Sequence, residues 1–525
     1  MTSPTTAPRA TRREWVGLAI LSLACLLYVM DLTVLHLAVP AITEDLRPTS
    51  AQLLWIIDVY GFMVAGALVT MGTLGDRIGR RRLLLVGAAA FGAVSVLAAF
   101  SPSAEMLIVS RALLGITGAT IAPSTLSLIF HMFQDAKQRT TAVGVWISAF
   151  SAGSAIGPVL GGLMLEWFWW GSVFLLGLPV MAALLVLGPR VLPEYRDPDA
   201  KRLDVLSAAM SVVALLAVVY GLKQIAQDGV TVAASVSIVA GVIVGVLWVR
   251  RQRRLDDPML DVGLFRIRAF SSALVTNFLS IFVMVGYFLF IAQYLQLVLG
   301  QSPLVAGLWS LPSAIGFIIS SNLAPRLLSG VRPGYVVAGG LATSTVGLVL
   351  LTQVDVRDGL LVLVLASVVI SLGLGPVFGL TTEMIVGSAP PAKAGAATGM
   401  SETAAELGGA LGIAALGSIA VTVYRGGVTS GLPAGLSPET TSAVKDTLGA
   451  ALTVAADLPP ATGAAVRAVA QQAFVSGLQL TSAIAALIAA VITVVAAVTL
   501  RSIPAPADPE EYPNDEVHES GCPTH

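Results

Sequence analysis

Apolar runs follow one another along this chain, separated by short segments in which basic residues, glycine and proline gather. The runs cover 15–39, 52–74, 83–101, 106–130, 140–165, 171–190, 205–226, 231–249, 269–297, 304–325, 335–353, 359–386, 395–421 and 471–500. A helix needs about 20 apolar residues to cross the hydrocarbon core of a bilayer, so each run is predicted to be a membrane-spanning helix, fourteen in all. Strands are excluded by the same pattern, because the strands of membrane barrels alternate apolar and polar positions over about ten residues. These runs are too long and too uniform for that. The fold class predicted is therefore an all-α integral membrane protein.

Composition strengthens this reading. Of 525 residues, 56% are hydrophobic and 12% charged, the latter about half the share of a soluble domain, and mean hydropathy is +0.85. An ordinary water-soluble enzyme is excluded, and no room remains for a soluble domain of useful size. The net charge of −1 speaks against nucleic acid as a partner, since phosphate binding needs a basic face. Two cysteines, Cys25 in a predicted span and Cys522 in the tail, do not make a disulfide framework. Arg9, Arg12 and Arg13 precede a first run without a signal-peptidase site, which is read as an uncleaved first helix.

Basic residues set the orientation. With the N-terminus inside, 23 of the 30 Lys and Arg fall on the cytoplasmic side and six on the outer side, and Arg111 is left within a span. Positive charge stays on the inner face, so both termini are expected in the cytoplasm. The loop from Gly72 to Arg82 has a degraded copy from Ala324 to Pro333, the trace of a transporter built from two similar bundles. The domain plan is then a cytoplasmic N-terminus (1–14), a six-helix bundle (15–190), two inserted helices with their flanking loops (191–268), and a second six-helix bundle (269–500). A cytoplasmic tail (501–525) is expected to be disordered. Residues 424–470 are predicted to form a long outer loop, with a short surface helix over 445–456.

Ionisable residues inside spans carry the chemical information, because each is unfavourable there unless it faces a wet cavity or a partner. They are Asp31, Asp58, Arg111, Glu383, Glu402 and Glu406. With several acids and one base, a cavity lined by them favours cations or protons over anions. Glu402 and Glu406, four apart, share one helix face, and two carboxylates that close are expected to exchange at least one proton near neutral pH. The bland alternative is that one of the pair is solvated at a helix end. His36 lies beyond Asp31 as either a proton partner or a helix-end group. Asp58 is flanked by Trp55 and Tyr60, where a cation could meet carboxylate and indole face or the indole could be an interfacial anchor. Arg111 is either a structural ion-pair member or the group that keeps a proton-carrying acid ionised. Gly153, Gly157 and Gly161 line one helix face, with Pro158 and Gly162 beside them. Spacing alone makes this a packing face with an allowed bend. No phosphate-binding Gly-x-x-x-x-Gly-Lys-Ser/Thr loop is present, which argues against an ATP-driven pump.

These segments resemble a known family. The loop from Gly72 to Leu84 looks like the signature of the major facilitator superfamily, the Gly153–Gly162 run is similar to its antiporter motif, and Arg111 with Gly115 and Gly118 resembles its fourth-helix motif. Met30 to Pro40, Leu54 to Tyr60, Gln293 to Pro303 and Ser401 to Gly409 are similar to the fourteen-helix drug/proton antiporters, in particular actinobacterial multidrug and quaternary-ammonium pumps. The resemblance implies the major facilitator fold and a secondary active transporter, not an enzyme. It would be a monomer in the bacterial plasma membrane among lipids, exporting lipophilic cations against protons by alternating access. No metal or cofactor is implied; energy comes from the proton motive force. Asp31, Asp58, Glu402, Glu406 and Arg111 would serve proton and cation. Gly72, Asp76, Arg77, Gly79 and Arg80 would latch the inner side, and Tyr28, Trp55, Tyr60, Trp146, Phe150, Tyr287, Tyr294 and Phe317 would line the cavity. Two departures stand out. His36 replaces the usual Asn, and Phe317 occupies the position where some relatives carry an acid for divalent cations, which leaves monovalent cations as the expected substrates. An exporter of one neutral metabolite or antibiotic, and a receptor or lipid-handling scaffold without turnover, are the rival readings.

Overall fold

A computed structural model describes residues 9–196, 204–255, 258, 262–327, 331–389 and 394–501. The helices, in chain order, are α1 (Arg12–Leu46), α2 (Ser50–Ile78), α3 (Arg80–Ala99), α4 (Ala104–Gly118), α5 (Ile121–Met132), α6 (Ala136–Trp167), α7 (Ser172–Leu175), α8 (Leu178–Val191), α9 (Val205–Asp228) and α10 (Val232–Gln252). They continue with α11 (Arg268–Gln293), α12 (Pro303–Leu327), α13 (Pro333–Leu351), α14 (Gly359–Gly387), α15 (Ala394–Gly431), α16 (Pro438–Asp446), α17 (Leu448–Asp457) and α18 (Pro460–Thr499). Among the described residues there is no strand. Among the described residues twelve stretches are long and apolar enough to cross a membrane. Two of them join consecutive helices, α4 with α5 and α7 with α8. The predicted runs 140–165 and 205–226 lie in α6 and α9, whose apolar parts, Ile156–Trp167 and Val205–Gly221, are shorter.

Local sequence starts these helices where hydropathy alone leaves the boundary open. Thr11 caps α1 and Glu14 returns to the Thr11 N–H at 2.7 Å, while Thr49 and Gln52 form the same reciprocal box at α2. Ser103, Asp135, Asp204 and Thr231 cap α4, α6, α9 and α10. Each satisfies amide donors that would otherwise have no partner in the first turn. The interior is apolar as in a soluble protein, but so is much of the outer surface. Val236, Val239, Val242 and Leu247 of α10 are exposed, as they must be where the solvent is lipid.

The first group, α1 to α8, and the last, α11 to α18, meet along a seam where α2 packs on α15 and α6 on α12. The α9–α10 pair lies beside this seam, α9 touching both α2 and α15. The predicted outer loop over 424–470 is corrected. α15 continues to Gly431 and α18 begins at Pro460, so the connection is 432–459, and it holds two helices, α16 and α17. The Ala-rich sequence after Pro460 favours helix, and Val444, Leu448, Ala451 and Ala455 bury apolar faces of the cap. Tyr424 Oη donates to the Val444 carbonyl at 2.8 Å, Arg425 pairs with Asp446 at 3.2 Å, and Ser50 Oγ of α2 donates to the Asp446 carbonyl. α16 and α17 therefore touch both groups of helices. Beneath them lies a cavity of about 60 Å³ bordered by Ser50, Ile57, Gln293, Tyr424, Asp446 and Phe474. Of the expected tail, 501–525, residues 502–525, Cys522 among them, lie outside the described residues.

Candidate functional site

Arg111 is fully buried in α4, and Nη1 lies 2.5 Å from Asp31 Oδ2 on α1. Nε donates to the Ile56 carbonyl of α2 at 3.2 Å, and the guanidinium carbon lies 4.5 Å from the centroid of the Tyr60 ring. The glycines of the fourth-helix motif explain how α2 comes so close. A Cβ on Gly115 would stand 2.5 Å from the Tyr60 carbonyl oxygen, and one on Gly118 2.8 Å from the Tyr60 hydroxyl. Small residues at this crossing let Tyr60 slide beneath the arginine. The ion pair also joins the two sequence readings of Arg111, because its partner is itself one of the predicted proton-carrying acids.

Across the seam, α15 presents Glu402 and Glu406. The Tyr28 hydroxyl of α1 donates to Glu406 Oε1, and the Tyr28 and Tyr60 ring centroids are 6.3 Å apart. Glu402 is within electrostatic reach of Tyr28 and of buried Cys25. Among the described residues no ion pair involves Glu402 or Glu406. Asp31 is thus paired with its arginine, whereas Glu402 and Glu406 have no basic partner among the described residues. Tyr28 and Asp31 lie near the midpoint of the 35-residue α1, the depth at which uncompensated charge is least favourable.

Not every predicted site residue joins this set. Asp58 is buried at 1% exposure on the face of α2 that carries Trp55 and Phe62, about 200° round the helix from Tyr60. Phe62 packs on Val219 of α9 and on Ala410 and Ala414 of α15. His36 is partly buried and within electrostatic reach of Arg111; its Nδ1 has no hydrogen-bond partner among the described residues. Trp146 donates its indole N–H to Thr125 Oγ1 at 3.1 Å, and Cys25 Sγ meets the same oxygen at 3.2 Å. Tyr287 is buried and stacks on Phe288, with centroids 4.9 Å apart. Phe317 faces Phe378 at 5.8 Å. Tyr294 is a correction to the predicted cavity lining. It is fully buried in the π-helical turn Tyr294–Val298 that ends α11, and its hydroxyl donates to the Asp355 carbonyl beneath Gly359. It anchors the α13–α14 connection. The Phe150 side chain lies outside the described residues.

At the end of the molecule that the basic loops assign to the cytoplasm, Gly79 links α2 to α3 with φ +113°. Arg80 is buried and its Nη1 reaches the Pro123 carbonyl at 3.4 Å, while Gly72 is partly buried and Arg77 exposed. The Asp76 side chain lies outside the described residues. Sequence reading missed Glu194. Its carboxylate accepts from the Arg81 N–H at 3.1 Å and pairs with the side chains of Arg81 at 3.4 Å and Arg82 at 3.8 Å. The signal was an acid four residues after the sixth predicted helix, in a loop that mixes acidic and basic residues. The antiporter-motif glycines form the packing face that their spacing predicts. Cβ atoms on Gly153, Gly157 and Gly161 would collide with Leu26, Thr33 and Val34 of α1. One on Gly162 would meet Pro303 and Leu304 of α12, and the Pro158 carbonyl abuts Gly307.

Described residues that hold helices without strands, twelve stretches able to cross a membrane and a buried charge cluster at a seam between two helix groups define the class of multi-pass membrane transporters. The Major Facilitator Superfamily pattern matches residues 21–413, and the chain belongs to that superfamily. It is 46% identical over 493 residues to "Multidrug efflux pump LfrA" of Mycolicibacterium smegmatis, covering 94% of this chain and 97% of that protein. It is 35% identical over 470 residues to "Methyl viologen resistance protein SmvA" of Salmonella typhimurium, covering 88% and 93%. The solved structure of a bacterial homolog of the human lysosomal transporter Spinster, inward-facing and unoccupied, aligns with a TM-score of 0.63 and 16% identity over 93% of this chain and 98% of that one. That likeness shows the fold alone. Family and relatives make the chain a multi-pass protein of the plasma membrane.

Proposed function

We propose that this transporter is a drug-efflux pump that expels lipophilic cations in exchange for protons, by alternating access and without a cofactor. Drug efflux is supported by the relatives, whose names include a multidrug efflux pump at 46% identity. The observation that carries the finer reading is the pair Glu402 and Glu406 without a bonded base, facing aromatic Tyr28 across the seam while Asp31 is already satisfied by Arg111. An unneutralised carboxylate pair beside aromatic rings attracts a lipophilic cation. Protonation of the same pair removes that attraction. In the inward-facing state the deprotonated pair takes a cation from the cytoplasm or inner leaflet, and in the outward-facing state protons displace it. Each charge moving down a potential of 100 mV supplies about 2.3 kcal/mol, and the pH gradient adds to this.

Purified protein in weakly buffered detergent solution is expected to release protons when ethidium is added. Unchanged release after both Glu402→Gln and Glu406→Gln overturns the assignment of the α15 pair. Competition by tetraphenylphosphonium separates this reading from export of one neutral metabolite, which such a cation leaves untouched. Phe317 gives the cavity no second acid on α12, so monovalent dyes are the expected cargo. Methyl viologen, the dication in the name of the Salmonella relative, is the natural probe of that limit in inverted vesicles.

A further inference from the structure

The Tyr28 phenol ties the two helix groups together at the depth of the charged residues. Tyr28 is 3% exposed, and its hydroxyl donates to Glu406 on α15. Three residues further along α1, close to the same face, Asp31 is held by Arg111. One helix therefore carries a group fixed to its own bundle and a group fixed to a carboxylate of the other. The titratable and charged groups around this contact are Cys25 and Asp31 on α1, Tyr60 on α2, Arg111 on α4 and Glu402 on α15. A hydroxyl bonds an ionised carboxylate more strongly than a neutral carboxyl, so a proton arriving at Glu406 weakens the tie. An incoming cation must likewise displace the hydroxyl or share the carboxylate with it.

Resting on the exchange reading above, we infer that Tyr28 is a positioning residue that occupies Glu406 in the drug-free state, sets the balance between proton and cation at that carboxylate, and holds α1 to α15 until either arrives. The phenol does no chemistry on the cargo. Its effect is to make the cation compete with an internal donor, so that Glu406 gives up its cargo readily when protons come. The charge state of an acid in one bundle is thereby felt by the helix that carries Asp31 in the other.

Ethidium binding to the purified protein, followed by fluorescence from acid to mildly alkaline pH, tests this. Tyr28→Phe keeps the ring and removes the donor. The pH of half-maximal binding is expected to rise by about one unit, a tenfold change in proton affinity, because the ionised carboxylate loses a stabilising bond. Well above that midpoint, affinity for ethidium is expected to rise, since its competitor is gone. In a Glu406→Gln background Tyr28→Phe is expected to leave the midpoint where it is. Should Tyr28→Phe fail to fold, a fluorinated tyrosine at position 28, similar in shape and a stronger donor, is expected to move the midpoint the opposite way. A wild type that titrates beside variants whose midpoints do not move overturns the role of Tyr28 alone, because a residue that merely fills space changes affinity evenly at all pH. A wild type whose ethidium binding ignores pH overturns the exchange reading, and this one with it.

Discussion

Replacing Asp31 by asparagine preserves the shape of the side chain and removes the charge facing Arg111. The guanidinium is at 0% side-chain exposure, 2.5 Å from Asp31 Oδ2, with one further bond to the Ile56 carbonyl at 3.2 Å. Arginine does not shed its proton in a protein, so Asp31→Asn leaves a buried cation without counter-charge, a loss of about 3–5 kcal/mol. The reverse substitution is milder. In Arg111→Met the stranded group is Asp31, whose side chain is 12% exposed and which can neutralise itself by taking up a proton; the loss is then about 1–3 kcal/mol. The double variant carries neither charge, and neutral replacement of a buried pair is often close to harmless. It is expected to be more stable than Asp31→Asn alone, and the coupling energy approaches the sum of the two single losses, about 4 kcal/mol or more. The assay is thermal unfolding of the four purified proteins in one detergent at one ionic strength, read by tryptophan fluorescence. A double variant whose loss equals the sum of the two single losses would refute the reasoning, as would Arg111→Met proving the more damaging single change.

Three further outcomes are expected. Gly162→Ala places a Cβ 2.6 Å from the Pro303 carbonyl oxygen, which is backbone, whereas a Cβ at Gly144 meets nothing within 4 Å. Overpacking of this kind costs about 1–3 kcal/mol, so Gly162→Ala should depress ethidium efflux from cells severalfold at equal expression, while Gly144→Ala should not. Asp204, capping α9, has its carboxyl held below the usual value: burial pushes it up, but bonds from Ser207 and Arg251 outweigh that. A depressed acid contributes stability above its unfolded value of about 3.9 and loses it as pH falls. Asp204→Asn should therefore lower the unfolding midpoint at neutral pH, by about 1 kcal/mol for this partly exposed pair, and the difference from wild type should vanish in acid. Gly79→Ala forces a side chain into φ +113° and a Cβ to 2.4 Å from Glu194 Oε1. The strain amounts to about 1–3 kcal/mol, and adding Glu194→Ala should recover only the contact part of the loss in unfolding midpoint.

Membrane class, helix positions and the short roll of candidate residues were legible in the sequence because the bilayer imposes a one-dimensional rule. A span must be apolar over its whole length, so each exception is visible without knowing what lies beside it. Asp31, Arg111, Glu402 and Glu406 were conspicuous for that reason. The glycine face of α6 was legible from period alone, since residues four apart on a helix must share a side. Tyr294 was misread because an aromatic residue next to a motif looks the same in sequence whether it lines a cavity or props up a loop. The short helix expected over 445–456 is α17, but the bounds of the connection between α15 and α18 were misread, because Ala- and Thr-rich sequence suits both a loop and the ends of the long helices that run into it.

The sequence by itself determined that this chain crosses a membrane many times and keeps a few ionisable groups within the spans, because hydropathy is a local property that lipid tests residue by residue. Only the tertiary structure decided which of those groups face one another. Asp31 and Arg111, 80 positions apart, form an ion pair, and Tyr28 reaches Glu406 across 378. Electrostatic attraction and hydrogen bonding depend on distance in space, and that distance is set by how small residues such as Gly115 and Gly118 let helices approach.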